Sequence, residues 1–321
     1  MSDAGPSTWL ERHQVWLSLA ALLLGGLLGI LAPAVAYPAE AVIAPALMLL
    51  LTATFVGVPF ARIGAALRDL RFLGVVLAVN FVAAPVVAWV VTRLVSHDTT
   101  LLVGALFVLL TPCIDYVIVF TGLAGGAKDR LLAVAPVLLI AQMLLLSLFL
   151  RLFVGPEAAD TVEPAPFLDA LLWFIVVPLC AAAMIQFLAA RTRVGAAASR
   201  GLSAGMVPFM LVTLAAVAAS QSSGIEAAWS NLALLIPVYL AFGLVMWGVG
   251  ALSGRAAGLD RPGWIAVAFS GATRNSLVVL PLVLALPGAA GLAALAVVTQ
   301  TIVELLILPL LVRIGRVLTA T

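Results

Sequence analysis

Asp115 and Arg274 are charges of opposite sign set inside long apolar runs, 101–124 and 264–286. An isolated charge at bilayer depth costs on the order of 2.5–3.5 kcal/mol even on lenient insertion scales, so each needs a partner or solvent. A carboxylate that alternates between a guanidinium and a proton could couple the movement of a solute to a proton gradient, whereas a fixed pair would only pin two helices together. Glu304 is a third candidate for coupling. It follows Gln300 by four residues and so shares its helix face, with Arg274 or a proton as its neutralising partner.

Both runs carry helix-breaking or small polar residues at mid-length. The first reads Thr111-Pro112-Cys113-Ile114-Asp115, where Pro112 removes a backbone donor and clashes with the preceding turn. The second reads Ser270-Gly271-Ala272-Thr273-Arg274-Asn275-Ser276, with Gly271 as the breaking residue. Unwound backbone at membrane depth survives only where protein or a water-filled cavity encloses it. Half-helix ends there offer partial positive charge from N-termini and free carbonyls from C-termini, which suits a solute site. Cys113, Thr273, Arg274, Asn275 and Ser276 are the residues expected to line it. The bland alternative for Cys113 is a small apolar filler, common in buried helices.

The elements that must hold these residues follow from composition. Of 321 residues, 64% are apolar and 9% charged, with a mean hydropathy of +1.25, which excludes a soluble globular protein. Spanning the hydrocarbon takes roughly 20 residues of helix. Ten apolar stretches meet that need, near 15–35, 41–62, 72–94, 101–124, 131–153, 167–188, 202–219, 232–252, 264–286 and 292–312. Continuous apolar runs exclude the alternation of a membrane β-barrel, so the expected fold class is an all-α integral membrane protein.

Basic residues give the orientation, since Lys and Arg in short loops stay cytoplasmic. With the N-terminus inside, Arg12, Arg62, Arg68, Arg71, Lys128, Arg130, Arg191, Arg193, Arg200, Arg255, Arg261, Arg313 and Arg316 are all cytoplasmic, and only Arg93 and Arg151 fall outside. Glu40, Asp98, Glu157, Asp160, Glu163, Asp169 and Glu226 fall on the outer face. A multi-pass protein of the cell (inner) membrane, with both termini cytoplasmic, is the expectation. The acidic loop 155–166 divides the chain into 1–154 and 167–321, five spans each. Because five is odd, similar halves would be inverted in the membrane. The two halves share no visible sequence identity, but the fourth span of each carries a break.

Other features read more plainly. Asn80, Gln142, Gln186 and Gln221 are expected to hydrogen-bond between helices, Gly25, Gly26 and Gly29 to allow close helix approach, and Cys180 to pack. The glycines at 122–126 lack the strand and spacing of a phosphate loop. No His cluster, nucleophile–base set or metal-ligand spacing lies in the spans, so no enzyme, no cofactor and no metal are expected. A net charge of +2 gives no ground for a nucleic-acid partner.

With the span count, Pro112-Cys113 followed by Tyr116-Val117-Ile118-Val119-Phe120, and the segment Ala272-Thr273-Arg274-Asn275, the chain resembles the bile acid/sodium symporter superfamily, which includes arsenite-efflux carriers. The resemblance implies panel and core domains, with spans four and nine discontinuous and crossing in the core, and transport by alternating access. It also implies a role for Cys113 at the place of a cysteine that arsenite carriers require. Two departures stand out. Arsenite carriers have an acidic residue shortly after the span-nine Asn, but Asn275 is followed by Ser276, Leu277 and Val278; the sodium symporters have Gln-Asn where this chain has Arg274-Asn275. A guanidinium only donates, so it occupies or repels a cation site rather than building one. The expected function is therefore a secondary transporter of the arsenical-resistance type, exporting arsenite and proton-linked or uncoupled. The alternative is a carrier of small organic anions, in which Arg274 holds a carboxylate. The partners expected are the lipid bilayer and the small solute, and a homodimer is admissible.

Overall fold

The structure is a computed structural model and describes residues 6–58, 68–114, 116–154, 169, 172–284 and 290–320. Asp115 and the loop 155–166 lie outside the described residues. Among the described residues thirteen α-helices follow one another: α1 Pro6–Leu31, α2 Ala36–Gly57, α3 Leu70–Ala78, α4 Ala84–Val91, α5 Thr99–Leu109, α6 Tyr116–Leu123, α7 Lys128–Val154, α8 Val177–Ala189, α9 Arg193–Ser220, α10 Ser222–Ala256, α11 Arg261–Ala272, α12 Ser276–Leu284 and α13 Ala290–Ala320. The protein is all-helical, and among the described residues eight helical segments are long and apolar enough to cross a membrane. The runs around Asp115 and Arg274 are not among the eight, because each is split into two short helices, α5 with α6 and α11 with α12.

Local chemistry explains where the helices start and bend. Asp98 caps α5 by accepting from the Thr100 and Leu101 N–H groups at 2.9 and 3.1 Å, and Asp69 accepts from Phe72 N–H at 3.1 Å ahead of α3. Gly125 and Gly258, at φ 78 and 68, form the left-handed turns after α6 and α10. Between α3 and α4 the chain makes a π turn, Val79–Ala83, in which Ala84 N–H donates to Val79 O five residues back. Pro85 follows directly, and with no N–H of its own it cannot continue the ordinary ladder.

The chain divides into two compact units. One holds α1, α2, α8 and α9; the other holds α3 to α7, the larger part of α10, and α11 to α13. In the first, α9 packs along both α1 and α2. Gly25 and Gly29 lie against the backbone of Ala215 and Ala219, while Gly26 faces open space. Gln186 donates to the Phe55 and Val56 carbonyls at 3.2 and 3.0 Å, which satisfies the last turn of α2. Gln14 donates to Met210 Sδ at 3.3 Å.

In the second unit α13 packs on α5, where Gly104 meets Ala293 and Ala296, and α7 packs against both α5 and α6. Arg130, at the start of α7, bridges Asp260 at 2.5 Å and Asp69 at 3.7 Å, tying together the N-terminal ends of α7, α11 and α3. All three side chains are about half exposed, so the bridge contributes no more than about 1 kcal/mol.

Two expectations need correction. Cys180 is exposed on α8 rather than packed. Among the described residues Gln221 Nε2 donates to its neighbour Ser220 Oγ, at 3.5 Å, rather than to another helix.

Candidate functional site

The two breaks meet inside the second unit. Pro112 and Arg274 form an antiparallel bridge, flanked by reciprocal hydrogen bonds: Asn275 N–H donates to Thr111 O at 2.9 Å, and Cys113 N–H donates to Thr273 O at 3.3 Å. Four backbone groups released by the helix breaks thus satisfy one another in the protein interior, where water is scarce. Thr111, Cys113, Thr273, Arg274, Asn275 and Ser276 are all buried, at 0–1% exposure, so both breaks are enclosed by protein.

The two breaks are built to one plan. Thr111 Oγ1 donates back to Phe107 O at 2.9 Å, and Thr273 Oγ1 donates back to Phe269 O at 2.8 Å. Asp98 precedes α5 and Asp260 precedes α11. Like the pairs Phe107 with Phe269 and Thr111 with Thr273, these stand 162 residues apart.

Arg274 is fully buried. Its Nη2 donates to Asn80 Oδ1 at 3.1 Å, to Ser270 O at 3.4 Å and to Gly271 O, and its guanidinium carbon lies 5.1 Å from the centre of the Phe242 ring. The cation therefore sits at the C-terminal end of α11, where the last carbonyls carry partial negative charge. Asn80, inside the π turn, is held in place by its own donations to Val76 O at 3.0 Å and Ser270 Oγ at 2.9 Å. Gly271 is needed beside it, because a Cβ there would come within 2.8 Å of Val79 Cγ1.

The start of α12 has the opposite polarity and the matching partners. Glu304 Oε2 accepts the main-chain N–H of Arg274 at 2.8 Å and also accepts from Gln300 Nε2. Asn275 caps the helix, its Oδ1 accepting Val278 N–H at 3.2 Å. Ser276 Oγ accepts from Thr301 Oγ1 at 2.8 Å. A cation at the end of one half-helix and a carboxylate at the start of the next make a physical account of two buried charges in one crossing.

The structure thus brings together Pro112, Cys113, Gly271, Thr273, Arg274, Asn275, Ser276 and Glu304, while Asp115 lies outside the described residues. Sequence reasoning gave Asn80 a partner on another helix but did not single it out for Arg274, and it missed Phe242 and Thr301. A lone Asn five residues before a Pro was the one available signal for the first. Asn275 Nδ2 and Gln300 Oε1 have no hydrogen-bond partner among the described residues.

No curated protein matches the chain. The model of the Sodium Bile acid symporter family matches residues 44–228, more than half of the sequence, including the first break but not the second. A multi-pass helical protein with an enclosed helix break in that span belongs to the sodium bile acid symporter family and is a membrane transporter.

Proposed function

We propose that the protein is a secondary carrier that works by alternating access, exporting arsenite from the cytoplasm, with Cys113 as the soft contact for trivalent arsenic. The observation that carries this reading is the reciprocal pairing of two enclosed helix breaks with a buried thiol at one of them. The eight continuous segments and the two interrupted ones make ten crossings. They are arranged as two inverted five-helix repeats, 1–154 and 167–321, joined by the acidic loop 155–166. The constant 162-residue offset supports that arrangement, as does the division into units, each of which draws helices from both halves. The two units correspond to a panel and a core. The charge distribution supports cytoplasmic termini in the inner membrane.

Coupling in this reading is proton-linked or absent rather than sodium-driven. Asn80 Oδ1, Ser270 O and Gly271 O are the kind of oxygen set that holds a small cation, and the Arg274 guanidinium already occupies it. Asp115, a short step from Cys113 in sequence, is the carboxylate we assign to proton exchange, with Glu304 as the second; Asp115→Asn then abolishes any dependence of transport on a proton gradient.

A second reading, transport of a small organic anion, draws support from Arg274 and the α12 N-terminus standing at one break. Arsenite tolerance separates the two. In cells lacking their own efflux system, the wild-type chain raises tolerance and Cys113→Ser, expressed equally in the membrane, does not. Tolerance that is unaffected by the chain, or unaffected by loss of the thiol, overturns the metalloid reading and directs the search to carboxylates.

A further inference from the structure

Gln142 lies on α7 and is 3% exposed, and its Oε1 has no hydrogen-bond partner among the described residues. A buried amide oxygen left without a donor is destabilising, so its persistence in an apolar helix asks for a use. Its position supplies one. Gln142 and Glu304 stand 162 residues apart, the same interval that relates Asp98 to Asp260 and Thr111 to Thr273. Glu304 accepts the main-chain N–H of Arg274. The residue that corresponds to Arg274 in the first break is Pro112, with which it is bridged, and proline has no N–H to give. The acceptor on α7 therefore has a counterpart that the backbone satisfies in one half and cannot satisfy in the other. On the described side, α7 packs against α5 and α6, the two helices that flank Cys113.

We infer that Gln142 Oε1 is a cargo contact, accepting a hydrogen bond from an O–H group of the transported species beside the first break. The inference rests on the carrier reading and narrows its substrate class. An acceptor at that place selects a hydroxylated solute in its protonated form, and for arsenite that is the uncharged trihydroxide. Its hydroxyls donate to Gln142 while Asn275 Nδ2, the unpartnered donor at the second break, serves an oxygen of the same solute. A fully ionised carboxylate without hydroxyls offers Gln142 nothing.

The test uses the full-length protein in proteoliposomes with inorganic arsenite as the probe, comparing wild type, Gln142→Met and Gln142→Glu. Gln142→Met keeps the length and removes the acceptor. It is expected to raise KM about tenfold, the equivalent of one hydrogen bond, with Vmax little changed and a melting temperature at or above that of wild type. Gln142→Glu, which keeps an acceptor at the same reach, is expected to stay within about threefold of the wild-type KM. Wild-type KM in Gln142→Met overturns the assignment, and so does a loss of folded protein in that variant, which would make the amide a structural bond. Wild-type vesicles that take up no arsenite overturn the cargo reading itself, and the hydroxyl donor assigned here falls with it.

Discussion

Glu304 holds the main-chain N–H of Arg274 at 2.8 Å, so a carboxylate on α13 fixes the second break through its backbone. Both residues are buried, at 4% and 0% exposure, and Gln300 donates to the same carboxylate oxygen. Replacing Glu304 by Leu strands two donors and is expected to cost about 2–4 kcal/mol, with transport reduced at least tenfold. Glu304→Gln keeps an acceptor and is expected to lose less than half as much. Thermal unfolding in detergent and vesicle uptake measure the two effects, and equal stability of Glu304→Leu and wild type would refute the role.

Asn275 has two separable tasks. Its Oδ1 caps α12, and Asn275→Ala is expected to cost about 1 kcal/mol, as cap removals do. Asn275→Asp retains the capping oxygen and loses the Nδ2 donor. It is expected to unfold within a few degrees of wild type while transporting more slowly. If Asp restores both properties, the amide donor has no part in transport.

Arg274 makes sodium superfluous in the carrier proposed here. Initial uptake rates are expected to agree within about twofold whether the external salt is sodium, potassium or choline, since the guanidinium already fills the oxygen set of Asn80, Ser270 and Gly271. A strict requirement for sodium would show that the cage around Arg274 is not the relevant cation site. Arg274→Met leaves Asn80 Oδ1 and the Gly271 carbonyl without their donor and is expected to cost at least about 2 kcal/mol.

Gly25 and Gly26 are neighbours in sequence with opposite tolerance. A Cβ at Gly25 would fall 2.8 Å from Ala215 Cα, an unyielding backbone atom, whereas at Gly26 it would meet nothing within 4 Å. Gly25→Ala is expected to destabilise the first unit by about 1–3 kcal/mol, while Gly26→Ala is neutral or gains up to about 1 kcal/mol in helix propensity. Detergent unfolding curves of the two variants should diverge in that direction, and a stable Gly25→Ala would contradict the close approach of α1 and α9.

Much of the fold was readable because lipid forces continuous apolar runs, and the two interruptions stood out against them. Glu304 and Gln300 were paired from their spacing alone, and they do share one oxygen network. The partners of Arg274 were harder to see. Asn80 lies 194 positions away and reaches it from a π turn, a register set by Pro85 and by packing on α11 rather than by any residue pattern. The 162-residue interval was invisible for a related reason: Phe and Thr recur at 107 and 111 and at 269 and 273, but the same interval pairs Pro112 with Arg274 and Gln142 with Glu304, unlike residues, so it is marked by capping residues and hydrogen bonds.

The joint between the two breaks consists of main-chain groups of Thr111, Cys113, Thr273 and Asn275. At the two donor positions, Cys113 and Asn275, any residue except proline can supply the N–H, and the oxygens come from every amino acid alike. The main-chain joint itself therefore does not depend on which side chains stand there. Descendants of one such chain could change the side chains at 113 and 275 by single substitutions without breaking the four main-chain bonds that join the breaks.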